Sequence, residues 1–112
     1  MTTADEWGRD PSVQIMRRIF RHMEIAQRTL LANVNISPFD TRLRGWRKTA
    51  LNLLERSWAQ ANHHNMVLNE EKIAAIYIHC LARAIGAEGI KISSDCLPHD
   101  EGIEMLVRET LQ

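Results

Sequence analysis

The five histidines and two cysteines of this sequence are the side chains best suited to bind a metal ion or to act as nucleophiles. His63 and His64 are adjacent, whereas two histidines on one helical face would be three or four residues apart. Cys80 and Cys96 do not form the Cys-x-x-Cys knuckle of structural zinc sites. The spacing favours His63 and His64 as a polar helix end, and a metal-binding protein that uses these loop histidines stays open as an alternative.

No arrangement of nucleophile, base and acid in the sequence indicates catalysis. Cys80 lies among apolar residues at helical spacing and is expected to be a core residue, while Cys96 lies in a loop with no cation placed to make it reactive. A pairing of His79 with Cys96 stays open, because separation along the chain does not give distance in the fold. We expect reduced thiols, no metal, no cofactor and no enzyme activity.

Basic side chains are concentrated in the first part of the chain. Residues 11–65 hold nine basic and three acidic side chains, whereas residues 66–112 hold four basic and eight acidic ones. Nucleic-acid or other polyanion binding is therefore an alternative function. A helix-turn-helix is disfavoured because the connection at residues 62–68 is longer than its tight turn. The densest basic group is the candidate anion site and comprises Arg42, Arg44, Arg47 and Lys48.

Apolar residues at three- and four-residue steps predict two long amphipathic helices in the first half of the chain. The first begins after an Asp10 cap, with Pro11 at its first position, and ends near Val34. The second begins with the Ser37-Pro38 pair and ends in the polar run 62–65. Its apolar stripe comprises Phe39, Leu43, Trp46, Ala50, Leu53, Leu54, Trp58 and Ala61.

In the second half of the chain, the sequence pattern predicts one more long helix and one short helix. Asn69 is the expected cap of the third helix, which Gly86 or Gly89 ends. Residues 90–92 are too short for an independent strand, and apolar spacing after Pro98 predicts a short terminal helix.

Composition limits the class of protein. The chain has 112 residues, of which 45% are hydrophobic and 25% charged, and these proportions are typical of one folded globular domain. No apolar segment reaches the roughly 18 residues that cross a bilayer, and the N-terminus is acidic where a secretory signal is basic. We expect a cytoplasmic all-α protein without membrane association. Residues 1–10 are expected to form a tail. Residues 11–112 are expected to form a compact bundle of three long helices plus a short C-terminal helix.

The first two predicted helices carry more apolar and aromatic surface than a small third helix can cover. Met16, Met23 and Leu30 also repeat every seven residues, as a helix-packing seam does, although Gln27 disfavours a long coiled coil. The sequence therefore predicts a small non-catalytic interaction or accessory module that binds a partner protein or itself, as a homodimer. The candidate contact residues are Phe39, Trp46, Trp58, Met16 and Met23.

Overall fold

Four α-helices make up most of residues 11–111, the part of the chain that the computed structural model describes. They are α1 (Pro11–Asn33), α2 (Leu43–His63), α3 (Glu70–Gly86) and α4 (Glu101–Leu111). Across residues 11–111 there is no strand, and the segment 90–92 is irregular. The predicted bundle of three long helices and a short C-terminal helix is thus confirmed. The predicted tail and its Asp10 cap lie outside the described residues.

Asparagines end both α1 and α2 in the same way. Asn35 and Asn65 have φ angles of 56° and 55°, in the left-handed region that asparagine tolerates better than most residues. The amide after each asparagine donates to the carbonyl five residues back, as Ile36 does to Leu31 at 2.9 Å. These are Schellman motifs, so the polar runs predicted to end the two helices do so by satisfying their last carbonyls.

Helix α2 begins at Leu43, later than the expected start at Ser37-Pro38. Ser37 Oγ accepts a hydrogen bond from the Phe39 amide at 3.1 Å, and Asp40 Oδ1 accepts one from the Arg42 amide at 2.8 Å. These side chains stabilise local turns that compete with a helix. Phe39 therefore lies in a turn rather than on the buried stripe, and its side chain is 90% exposed.

Helix α3 has the start and end that the sequence predicts. Asn69 Oδ1 accepts a hydrogen bond from the Lys72 amide at 2.8 Å, and two glutamates occupy the first turn, where the helix dipole favours negative charge. The helix ends at Gly86, and Gly89 has a φ angle of 89°, which suits glycine.

The core is organised around α3, which packs against each of the other helices. Its side chains Ile76, Leu81 and Ile85 are fully buried. Helix α1 packs mainly on α3, and α2 packs on α3 and α4, whereas α1 and α2 barely contact each other. Two amphipathic helices thus lie side by side on a third, with a gap between them.

Helix α4 is joined to α2 by a buried polar chain. The Ser57 hydroxyl donates to Thr110 Oγ1 at 3.1 Å, and the Thr110 hydroxyl donates to the Leu106 carbonyl at 2.9 Å. Both hydroxyls are therefore satisfied where an unpaired polar group would be costly.

Cys80 is also fully buried, as predicted, and burial raises the pKa of its thiol to about 11. Within residues 11–111, every helix is too short or too polar to span a bilayer.

Candidate interaction groove

The gap between α1 and α2 is a groove of about 410 Å³. The N-terminal half of α1 forms one wall, the C-terminal half of α2 forms the other, and Ile73 of α3 forms the floor, so α1 and α2 run antiparallel. The wall residues are Met16, Ile19, Phe20 and Met23 on α1, and Leu51, Leu54, Glu55, Trp58, Ala59 and Asn62 on α2. We call this set the groove.

Helical periodicity places these side chains in two facing rows. On α2, Leu51, Glu55, Trp58 and Asn62 follow one another at steps of four, three and four residues, so they share one face. Because α1 and α2 do not pack closely, apolar side chains on the facing sides are left partly uncovered. Phe20 is 50% exposed and Trp58 is 36% exposed. Clustered exposed apolar surface of this kind is typical of binding sites.

Three of the five predicted contact residues meet in the groove. Met16 and Trp58 lie at its partly exposed rim, while Met23 is buried in its wall. Phe39 lies outside it. Trp46 is only 4% exposed, with the Arg42 guanidinium 4.8 Å from the ring centre, so it is a core residue and its assignment as a contact residue is wrong.

The groove continues into an adjoining cavity at the start of α2. This cavity measures about 490 Å³, shares Leu51 with the groove, and is lined by Phe39, three basic side chains and the carboxylate of Asp40. We call Arg44, Arg47 and Lys48 the basic end of the groove, because they line this cavity beyond Leu51.

The predicted anion cluster is divided by the structure. Arg42 binds Asp40 through two hydrogen bonds, Nη2 to Oδ2 at 2.8 Å and Nε to Oδ1 at 3.1 Å, and lies 3.8 Å from a Glu88 oxygen. Its charge is therefore paired with carboxylates, which makes Arg42 the weakest member of the predicted anion site. Within residues 11–111, no carboxylate lies within ion-pair distance of Arg44, Arg47 or Lys48.

The contact between Arg42 and Asp40 has a measurable pH dependence. Hydrogen bonds from the Arg42 side chain and amide lower the pKa of Asp40 from 3.8 to about 2. A depressed folded-state pKa stabilises the fold above about pH 4, and this contribution is lost as the pH falls toward 2. A carboxyl NMR titration should give a midpoint of about 2 for Asp40, and Arg42→Leu should raise it toward 3.8. A midpoint near 3.8 in the unchanged chain would contradict this contact.

One of the two adjacent histidines, His64, joins the end of α2 to α4. His64 Nε2 lies 2.8 Å from Glu109 Oε2, and Gln60 Nε2 donates to the same oxygen at 3.0 Å, which ties the end of α2 to α4. The hydrogen bond from His64 lowers the pKa of Glu109. Among the described residues, no group of three or more potential metal ligands lies together. The geometry therefore adds no support to the metal-binding alternative at His63 and His64.

The other residues considered for nucleophilic chemistry are engaged elsewhere. His79 Nε2 is hydrogen-bonded to the Pro98 carbonyl at 2.9 Å. Cys96 is partly buried against the core as a free thiol. These contacts add no support to a pairing of His79 with Cys96.

A second cavity, of about 510 Å³, lies between α3 and α4. Its lining includes His79, Arg83, Ile92, Leu97 and Val107, and none of the described residues that line it is a phenylalanine, tyrosine or tryptophan. Exposed aromatic side chains dominate the binding energy of many interfaces. The groove is therefore the stronger candidate for binding.

Phe20 and Leu51 line the groove but were not predicted from the sequence pattern. Phe20 lies in the predicted first helix but is not among the five candidate contact residues, and Leu51 falls outside the apolar stripe predicted for the second helix. The sequence does contain a signal for Leu51: it is an apolar residue seven positions before Trp58 and therefore lies on the same helical face.

No protein-family model, curated protein or solved structure matches this chain.

Proposed function

We propose that this protein is a non-catalytic interaction module that binds an amphipathic helix of a partner protein in the groove. The observation that carries the proposal is the pair of facing rows of partly exposed apolar side chains, with Met16 and Phe20 opposite Leu51 and Trp58. Covering these side chains removes apolar surface from water, which drives most protein association.

The walls of the groove favour a helix as the occupant. Both walls are α-helices, whose backbone groups are bonded within each helix, so they offer no edge for a strand to pair with. An occupant must therefore satisfy its own backbone, as a helix does. From Leu51 to Asn62 the groove wall is about 16 Å long, or three helical turns.

A second copy of the chain fits the same face less well. A two-fold dimer brings identical patches together, so its interface must be self-complementary. Two concave grooves facing each other leave space between them, whereas a convex helix fills one groove. Homodimerisation and a cytoplasmic location stay predictions.

Apart from its basic end, the groove has Glu55 as the one ionisable side chain among the described residues that line it. General acid–base chemistry usually needs a second titratable group or a nucleophile within hydrogen-bond reach. The groove is thus chemically suited to burying an apolar face rather than to transforming a substrate.

Selection from a displayed library of amphipathic helices tests the proposal. Apolar residues are fixed at the i, i+3, i+4 and i+7 positions, and the other positions are random. We expect enriched peptides, and we expect Phe20→Ala to weaken their binding about tenfold or more, measured by fluorescence anisotropy.

Ile25 is the matched control for Phe20. It is 55% exposed on the same helix, compared with 50% for Phe20, but lies outside the groove. Ile25→Ala should leave the dissociation constant unchanged. A library without enriched peptides, or equal effects of the two substitutions, would contradict the proposed function.

A further inference from the structure

The groove has different chemistry at its two ends. Around Phe20 and Trp58 it is apolar, with Glu55 at the rim. Beyond Leu51 the adjoining cavity is lined by the basic end, Arg44, Arg47 and Lys48, and by Asp40, whose carboxylate is paired with Arg42. From Arg44 to Asn62 the face of α2 extends about 27 Å, which matches a bound helix of about five turns.

The cations at the basic end are not neutralised within the described chain. Arg42, two residues before Arg44, is held by Asp40, whereas no carboxylate of residues 11–111 lies within ion-pair distance of the basic end. These three side chains are exposed in the present structure. Within residues 11–111, their charges are therefore open to a ligand that lies along the groove.

Arg47 also marks the place where three helices meet. The Tyr77 hydroxyl of α3 donates to Gln27 Oε1 of α1. Burial raises the pKa of Tyr77, and the nearby Arg47 guanidinium acts in the opposite direction. Arg47 is thus close to the junction of the three helices. Arg44, Lys48 and Leu51 follow one another on α2 at steps of four and three residues, so the basic end continues the α2 wall of the groove.

We propose that the partner helix carries acidic side chains at one end, and that Arg44, Arg47 and Lys48 recognise them. This inference rests on the proposed function, and it names the partner by its chemistry: an amphipathic helix with an apolar middle and a cluster of Asp or Glu in its last or first turns. Charge complementarity of this kind selects partners and fixes their direction in a groove.

The same library tests the inference when two proteins are used as baits. One is the unchanged chain, and the other carries Arg44→Glu and Lys48→Glu, with Arg47 retained because of its position beside Tyr77. Peptides selected on the unchanged chain should carry several-fold more Asp and Glu than Lys and Arg at one end. Selection on the variant should reverse that bias.

Affinity measurements give the size of the effect. Arg44→Glu with Lys48→Glu should weaken binding of an acidic-ended peptide about tenfold or more, and the affinity for the unchanged chain should fall as salt is raised. The control variant carries Arg21→Glu and Arg108→Glu, which change the net charge equally at exposed positions outside the groove. It should bind within about twofold of the unchanged chain.

The failures of the two proposals are distinguishable. Enriched peptides that lack any charge bias, yet depend on Phe20, would overturn this inference and leave the proposed function standing. No enriched peptide on either bait would overturn both. A salt-resistant dimer that Phe20→Ala dissociates would replace the partner helix by a second copy. If no peptide binds but a single-stranded oligonucleotide does, and the variant with Arg44→Glu and Lys48→Glu loses that binding, the partner is a nucleic acid rather than a helix.

Discussion

Replacement of Trp58 by alanine is expected to weaken binding of a selected helical peptide by about 30-fold or more. Trp58 lies on the α2 wall of the groove with 36% of its surface exposed, so a bound helix would complete its burial. Tryptophan is among the side chains whose truncation costs most at interfaces. Isothermal titration calorimetry measures the change directly.

The matched control for Trp58 is Met105, an exposed apolar side chain on α4 outside the groove. Met105→Ala should leave the affinity unchanged. Thermal unfolding of each variant confirms that it is folded before binding is measured, and Trp58→Phe, which keeps an aromatic ring, should lose less affinity than Trp58→Ala. An affinity for Trp58→Ala within about threefold of the unchanged chain would contradict its role as an anchor.

Replacement of Leu81 by alanine should lower the free energy of unfolding by about 2–5 kcal/mol, because it leaves a cavity in the centre of the core. Leu81 lies on α3, the helix against which all the others pack, and it is fully buried. Small domains are stable by only about 5–15 kcal/mol, so this loss is a large share of the total. Urea unfolding followed by circular dichroism gives the value.

The leucine-to-alanine change at Leu51 tests whether this residue lies at the groove wall or in the core, when its effect on the free energy of unfolding is compared with that at Leu81. Leu51 is 40% exposed at the groove wall, so Leu51→Ala should cost less than about 1 kcal/mol. Equal losses at Leu51 and Leu81 would show that the facing sides of α1 and α2 are packed together, and the groove would then not exist in solution.

Helix positions were predictable where a short local motif determines the end. Asn69 caps α3, and Asn35 and Asn65 end the two long helices through left-handed backbone conformations. The start of α2 was not predictable in this way, because Ser37 and Asp40 can either cap a helix or stabilise a turn. In this structure they stabilise turns. A residue type that serves both structures does not distinguish them.

The two tryptophans of α2 show why the site was only partly predictable. Trp46 and Trp58 are twelve residues apart, which corresponds to about 120° of rotation around a helix. They therefore lie on different sides of one broad apolar stripe. Periodicity gives the stripe, but the packing of α1 and α2 on α3 decides which side is covered. That packing places Trp46 in the core and Trp58 in the groove.

The division of the basic cluster, in contrast, follows from helical geometry. Arg42 and Arg44 are two residues apart, or about 200° around a helix, so they cannot share a face. Arg44, Arg47 and Lys48 are three and four residues apart and do share one. Only the neutralisation of Arg42 by Asp40 required the structure, because it depends on the turn before α2.

The most direct test of a helix-binding groove between α1 and α2 is an NMR titration of the isotope-labelled protein with a peptide selected from the library. We expect chemical-shift changes centred on residues 16–23 and 51–62, with intermolecular contacts from the methyl groups of Met16, Met23 and Leu51. Shifts centred instead on the cavity between α3 and α4, around Arg83 and Val107, would contradict the account, as would no shifts at saturating peptide.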